Sequence, residues 1–327
     1  MPTNSTKLLS NARRQPFVLS ALVAAVLIVL IAMVEPRYLR PFELAIKLRV
    51  WMPLVMVAAG QTFVILGGGV DLSAGTMIAM VNVATVRTLT TAGGGAEAMA
   101  AALAVGLLVA VLAGLLNGVV VAYLRIQPII ATFATSVLWQ GIALWIMPQS
   151  GGEVPMSVYD VYSGRLLGLP SSLWMLSLTV LVLWALSRTG YYINLKAVGG
   201  NLAGAYESGL SVVRIRIGSY IIGAVFFAVA SWLIIGETIT GNPLAGQGYE
   251  LESIASAVIG GISLAGGFGV PLGAVFGAFV MKLVNDVIFF FGIPVAYQRL
   301  MQGLIIVAAL ATGAVLTGAT RRTRSTR

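Results

Sequence analysis

Cysteine and histidine are both absent from the 327 residues. Without cysteine there are no disulfides and no thiolate metal sites, and redox chemistry says nothing about compartment. Without histidine the chain lacks the commonest metal ligand and the side chain best suited to acid–base work near neutral pH, which argues against catalysis. Charge is scarce as well. Asp, Glu, Lys and Arg make up 9% of the residues, where a soluble domain carries roughly 25%.

Apolar residues take the vacant share: 58% of the chain, with a mean hydropathy of +0.96. So few charges cannot shell a core of this size in water. The chain reads as an all-α polytopic membrane protein embedded in a lipid bilayer. Its net charge of +9 does not point to nucleic acid, because the bases punctuate apolar runs and cluster at the two ends, as charges that orient membrane spans do.

About ten transmembrane helices are expected: 17–34, 50–66, 76–86, 99–123, 129–147, 173–186, 217–235, 254–264, 270–290 and 300–316. The first is longer than a signal-peptide core and ends in Met33-Val34-Glu35-Pro36-Arg37 instead of a small-residue cleavage site, so it reads as a retained span. This predicts a cytoplasmic tail over 1–16, a transmembrane domain over 17–318 and a basic cytoplasmic tail over 319–327. Ten spans place both termini on one side. Lys7, Arg13, Arg14, Arg125, Arg188, Lys196, Arg214, Arg216 and four arginines after residue 320 then fall inside, against Glu207 alone. The acids gather outside, with a periplasmic loop at 148–171. The exception is the first outside loop, where Arg37, Arg40, Lys47 and Arg49 lie near the second span.

The stretch 199–210 organises the rest. It lies in a cytoplasmic loop, 188–214, has glycines towards both ends, and is flanked by Arg188, Lys196, Arg214 and Arg216. It is too short to cross a membrane and holds no nucleophile–base pair. Asn201 can cap a short helix, Ala203 and Ala205 favour it, and Gly209 can end it. We read it as a docking element for a cytoplasmic motor, carried by Gly200, Asn201, Ala203, Ala205, Glu207, Ser208 and Gly209, with Ala205 near the partner's groove.

Two glycine breaks interrupt the apolar runs. Gly68-Gly69-Val70-Asp71-Leu72-Ser73-Ala74-Gly75 aligns without gaps to Gly260-Gly261-Ile262-Ser263-Leu264-Ala265-Gly266-Gly267. A weaker echo links Asn117-Gly118 and Gln140-Gly141 to Asn285-Asp286 and Gln302-Gly303. Repeated, glycine-interrupted hydrophobic segments mark transporters built by internal duplication. Small residues every four positions, at Gly106, Ala110, Gly114 and Gly118 and at Gly269, Gly273 and Gly277, offer stripes for close helix packing. Polar groups within spans need partners. Asp71 follows a break whose amides could satisfy it, and Lys282 and Asp286 are placed to neutralise each other four residues apart. Gln140 is an uncharged hydrogen-bonding candidate, as are Gln61, Asn82, Asn117, Thr132 and Asn285. With Gly68, Gly69, Asp71, Ser73, Gly260, Gly261 and Ser263 the last five make up the expected translocation pathway and helix breaks.

Several of these blocks resemble one family. Gln61-Thr62-Phe63-Val64-Ile65 running into Gly68-Gly69-Val70-Asp71-Leu72-Ser73-Ala74-Gly75 is similar to the signature of ribose-type sugar ABC transporter permeases, within the branched-chain amino acid/ribose permease superfamily. So are Asn117-Gly118 leading to Pro128-Ile129-Ile130-Ala131-Thr132, the 197–210 stretch, and 249–264, all in the family's order. The resemblance implies an inner-membrane importer with two permease subunits (identical or paralogous), two cytoplasmic ATP-binding subunits and a periplasmic or extracellular sugar-binding protein. No G-x-x-x-x-G-K-[ST] stretch occurs, so ATP and Mg would sit on the partner ATPase, with no cofactor on this chain. Leu202, Ala203 and Tyr206 stand where family members often carry charges, and Phe268 where arginine is frequent. Two alternatives stay open: an ion-coupled secondary transporter using Asp71, Lys282 and Asp286, or the same ATP-driven mechanism with a nucleoside or branched-chain amino acid as cargo.

Overall fold

A computed structural model describes residues 17–294, together with 297, 300, 301, 303, 304 and 307. The expected tails and most of the tenth span fall outside these residues. The helices run in the order α1 (Phe17–Val34), α2 (Pro41–Leu66), α3 (Ala74–Thr91), α4 (Ala96–Ala122), α5 (Pro128–Ile146), α6 (Met156–Ser163), α7 (Ser171–Ser187), α8 (Gly190–Gly200), α9 (Leu202–Glu207), α10 (Val212–Thr238), α11 (Tyr249–Ile259) and α12 (Pro271–Phe290). Between α6 and α7, β1 (Arg165–Leu166) and β2 (Leu169–Pro170) form a small antiparallel hairpin. The fold is otherwise helical.

The described residues do not confirm about ten spans. Five helices, α2, α4, α5, α10 and α12, are long and apolar enough to cross a bilayer; a sixth arises if α7 and α8, bent by 72° at their junction, count as one. The physical reasons are local. Threonines, Asn82 and Arg87 dilute α3, and α11 has only 11 residues before its glycine break.

The core is built around α2, in which every residue from Trp51 to Leu66 is buried. A helix apolar on all sides belongs at the centre of a bundle. Here α10, α11, α12 and α7 surround it. Small residues permit the close approach that lipid does not otherwise drive. A Cβ on Gly60 would lie 2.8 Å from the Gly223 carbonyl oxygen, and one on Gly118 2.8 Å from Ile217 Cα. The Gly106–Gly118 stripe therefore lies against α10 and α3. In the other stripe, Gly273 and Gly277 abut the backbone of Gly260 and Ser256, while Gly269 sits before α12 and packs on Ile262.

Lys282 and Asp286 do not pair with each other. Lys282 bonds Glu252 at 3.0 Å and Asp286 bonds Lys47 at 3.1 Å. Arg49 pairs with Glu237 at 2.8 Å. Tertiary partners thus outcompete the helical spacing. They also neutralise two of the four bases that ran against the charge bias.

Candidate functional site

The two glycine breaks end their helices in the same way. Gly68 (φ 78°) and Gly261 (φ 84°) take left-handed conformations that side chains avoid. Gly68 N–H donates to the Ile65 carbonyl and Gly69 N–H to that of Val64; Gly261 donates to Val258 and Ile262 to Ala257. Both are Schellman caps. The gapless sequence alignment is off by one residue at the caps, pairing Gly68 with Gly260 where the geometry pairs it with Gly261. It is in register one turn later. There Asp71 Oδ1 accepts from Ser73 N–H and Ser263 Oγ accepts from Ala265 N–H, each two residues on.

The breaks meet each other and the end of α8. Gly267 N–H donates to the Leu66 carbonyl at 3.0 Å. A Cβ on Gly199 would run into that same carbonyl and lie 2.8 Å from Gly267 N; one on Gly266 would lie 2.8 Å from the Gly199 oxygen and 3.0 Å from Gly68 Cα. Only glycine fits where three backbones cross so closely. Tyr192 on α8 donates its hydroxyl to the Gly269 carbonyl at 3.0 Å, and Leu195 packs on Gly67. The 188–214 stretch is thereby fastened to both broken helices by its own backbone.

Beyond this junction lies α9. Asn201 Oδ1 accepts from Gly204 N–H at 3.1 Å, and Gly209 (φ 76°) closes the helix with a further Schellman cap. Ser208 Oγ returns to the Gly204 carbonyl. Ala205 is buried against the chain's own helices, so it does not offer itself to a partner. The outward face is Leu202, Ala203, Tyr206 and Glu207, with Tyr206 76% exposed. The exposed tyrosine and leucine give this face an apolar character, with Glu207 at its end.

A buried polar cluster organises the first break. Asp71 Oδ1 accepts from Ser73 N–H at 2.8 Å and Ser73 Oγ at 2.6 Å; Asn117 Nδ2 reaches Asp71 Oδ2 at 3.3 Å and Ser73 Oγ at 2.7 Å. Thr132 Oγ1 accepts from Leu72 N–H at 3.0 Å, tying α5 to the break. All four side chains are fully buried. Their donors satisfy the carboxylate that the helix interruption leaves within the bundle.

Sequence reasoning gave no functional role to a further irregular segment. At Ile239, a β-branched residue at φ 52°, α10 gives way to a non-helical run over 240–248. A left-handed backbone at such a residue is strained, and strain of this kind collects at functional sites. Asn82 Oδ1 accepts from Asn242 N–H at 2.7 Å, and Gln140 Nε2 donates to the Pro243 carbonyl at 2.9 Å. Farther along, Gly246 presses on the backbone of Gly75, where the Glu250 carboxylate also lies. The segment therefore follows α3 for about 10 Å, from Asn82 to Gly75. The clue was Gly241, Pro243, Gly246 and Gly248 within eight residues.

Of the remaining candidates, Gln61 is fully buried with neither amide atom bonded, and Asn285 is half-buried on α12. Ser263 lies in the second break. Among the described residues no group of three acidic side chains is placed to hold a metal ion.

A family model described as branched-chain amino acid transport system / permease component matches residues 44–310. The ribose import permease protein RbsC of Escherichia coli (strain K12) is 31% identical over 301 residues, covering 89% of this chain and 91% of its own length. RbsC of Bacillus subtilis (strain 168) is 28% identical over 289 residues, covering 87% and 88%. The autoinducer 2 import system permease protein LsrC of E. coli (strain K12 / DH10B) is 32% identical over 299 residues, covering 89% and 85%. No solved structure matches the chain significantly.

Proposed function

Because the chain belongs to the branched-chain amino acid transport system / permease component family, we propose that it is the membrane-spanning subunit of an ATP-driven, binding-protein-dependent importer. Its cargo on this reading is a ribose-type monosaccharide, in keeping with the name of the two RbsC relatives. ATP and Mg belong to a separate cytoplasmic ATPase, and a sugar-binding protein delivers cargo from the other side. Two permease chains pair in the inner membrane, each with about ten spans, both termini cytoplasmic and 148–171 periplasmic.

The observation that carries this reading is the glycine junction. A motor can reshape a membrane pathway only through an element that is compact, outward-facing and fastened to the moving parts. The α8–α9 unit has an exposed apolar face at one end. At the other, Gly199 and Gly200 cross the backbones of both helix breaks. The ion-coupled alternative is weaker, since Lys282 and Asp286 are each engaged in another ion pair.

The test is co-purification of the partner ATPase co-expressed with this chain, together with ATP turnover in the presence of loaded binding protein. Tyr206→Glu and Leu202→Glu alter only the exposed face of α9. Loss of both readouts at normal membrane abundance supports the docking role. Full recovery of the ATPase with both variants would place the motor contact elsewhere.

A further inference from the structure

We infer that the Asn82 and Gln140 amides at the Asn242–Pro243 peptide, together with Trp139 next to Gln140 on α5, bind cargo within the membrane, and that they select a neutral, polyhydroxylated molecule over a zwitterionic amino acid. This rests on the importer reading above and fixes a place and a chemistry for recognition.

Non-helical backbone is tolerated at membrane depth only where protein covers it or where it lines a watery cavity. The 240–248 segment starts on a backbone bridge, Gly241 exchanging two hydrogen bonds with Gly151, and beyond it is held from the facing helices by two side chains, Asn82 of α3 and Gln140 of α5, on successive residues. Each has spent one group on that task. Asn82 Nδ2 has no partner although the residue is fully buried. Gln140 keeps its carbonyl oxygen as an acceptor. Trp139, the preceding residue, belongs to the buried stripe Ala131, Thr132, Thr135, Trp139 and Ala143, the face α5 packs against α3. Its indole N–H is a second buried donor without an acceptor.

Unpaired buried donors are destabilising unless something brings oxygen to them. A sugar hydroxyl accepts from Asn82 and Trp139 and donates to Gln140, while the indole face covers its C–H surface. No charged side chain belongs to this cluster. An amino acid would have to desolvate a carboxylate and an ammonium there without an opposite charge for either.

The experiment uses cells carrying the complete transporter and labelled ribose, xylose, arabinose and leucine. Expected is accumulation of a pentose by the wild type. In Asn82→Leu and Trp139→Phe the initial rate should fall at least tenfold, at unchanged membrane abundance and with the ATPase still co-purifying. Val137→Leu, on the exposed side of α5, should match the wild type. If Asn82→Leu fails to reach the membrane, Asn82→Ser and Trp139→Phe decide. Pentose uptake within twofold of wild type in these variants overturns the placement. Leucine uptake without any pentose overturns the selectivity and leaves the importer standing. Absence of every cargo together with absence of bound ATPase overturns the importer reading, and this inference with it.

Discussion

Gly267 N–H donates to the Leu66 carbonyl across 201 positions of sequence, at 3.0 Å. Leu66 is the last residue of α2, and the final carbonyls of a helix have no partner within it. The second break thus supplies the hydrogen bond that the first leaves open. One hydrogen bond joins the two interruptions, and Gly199 of α8 occupies the crossing. Displacing α8 would uncover groups in both breaks at once, so the two must move together.

The first prediction follows from that crossing. Gly199→Ala sets a methyl group against the Leu66 carbonyl, where the neighbour is backbone and cannot turn away. Cargo uptake and cargo-stimulated ATP hydrolysis should each fall at least tenfold. The ATPase should still co-purify, because the exposed face of α9 is untouched. Gly190→Ala, with open space around its Cα, is the control. Uptake by Gly199→Ala within twofold of the control would show that the crossing tolerates separation.

A second prediction separates the two faces of α9. Ala205→Glu buries a carboxylate without a partner and should lower the melting temperature of the purified chain in detergent. Tyr206→Glu should leave it unchanged. Asn201→Ala removes the cap and should destabilise the short helix by about 1 kcal/mol. Equal melting of Ala205→Glu and the wild type would mean that Ala205 faces outward in solution.

These contrasts also mark what was legible in the sequence. The glycine breaks, the Asn201 cap and the Gly209 stop are local devices, written in consecutive residues. The inward turn of Ala205 is not local: it depends on how α9 sits against the rest of the chain. The meeting of Gly199 with Gly267 likewise has no signature in either stretch. Lys282 and Asp286 misled because helical spacing is visible in sequence, while Glu252 and Lys47 come close only after folding. How the 240–248 segment is anchored is not local either, since Asn82 and Gln140 lie more than 100 residues away.

A third prediction concerns the cluster at the first break. Asp71→Asn keeps an acceptor for both Ser73 bonds and gives up only the long 3.3 Å contact from Asn117 Nδ2, which still donates to Ser73 Oγ. Asp71→Leu leaves buried donors on Ser73 and Asn117 unpaired, at about 1–3 kcal/mol for each group. Thermal unfolding in detergent should therefore rank the wild type and Asp71→Asn together, well above Asp71→Leu. The reverse order would point to a role for the charge itself.

The last prediction tests how α11 is held. It is short, apolar along one side, and ends in a glycine break, so its position against α12 depends on few polar contacts. Lys282 Nζ bonds Glu252 at 3.0 Å with both side chains mostly buried, and the ammonium also lies 5.4 Å from the Tyr249 ring centre. Removing one partner of a buried pair strands the other charge, typically at about 3–5 kcal/mol. Glu252→Gln and Lys282→Met should each reduce stability and uptake. The double variant strands no charge and should recover much of the loss, apart from the aromatic contact with Lys282. A double-mutant cycle on melting temperature measures the coupling directly. Losses that simply add would mean that α11 is positioned by packing alone, through Gly260, Gly273 and Gly277.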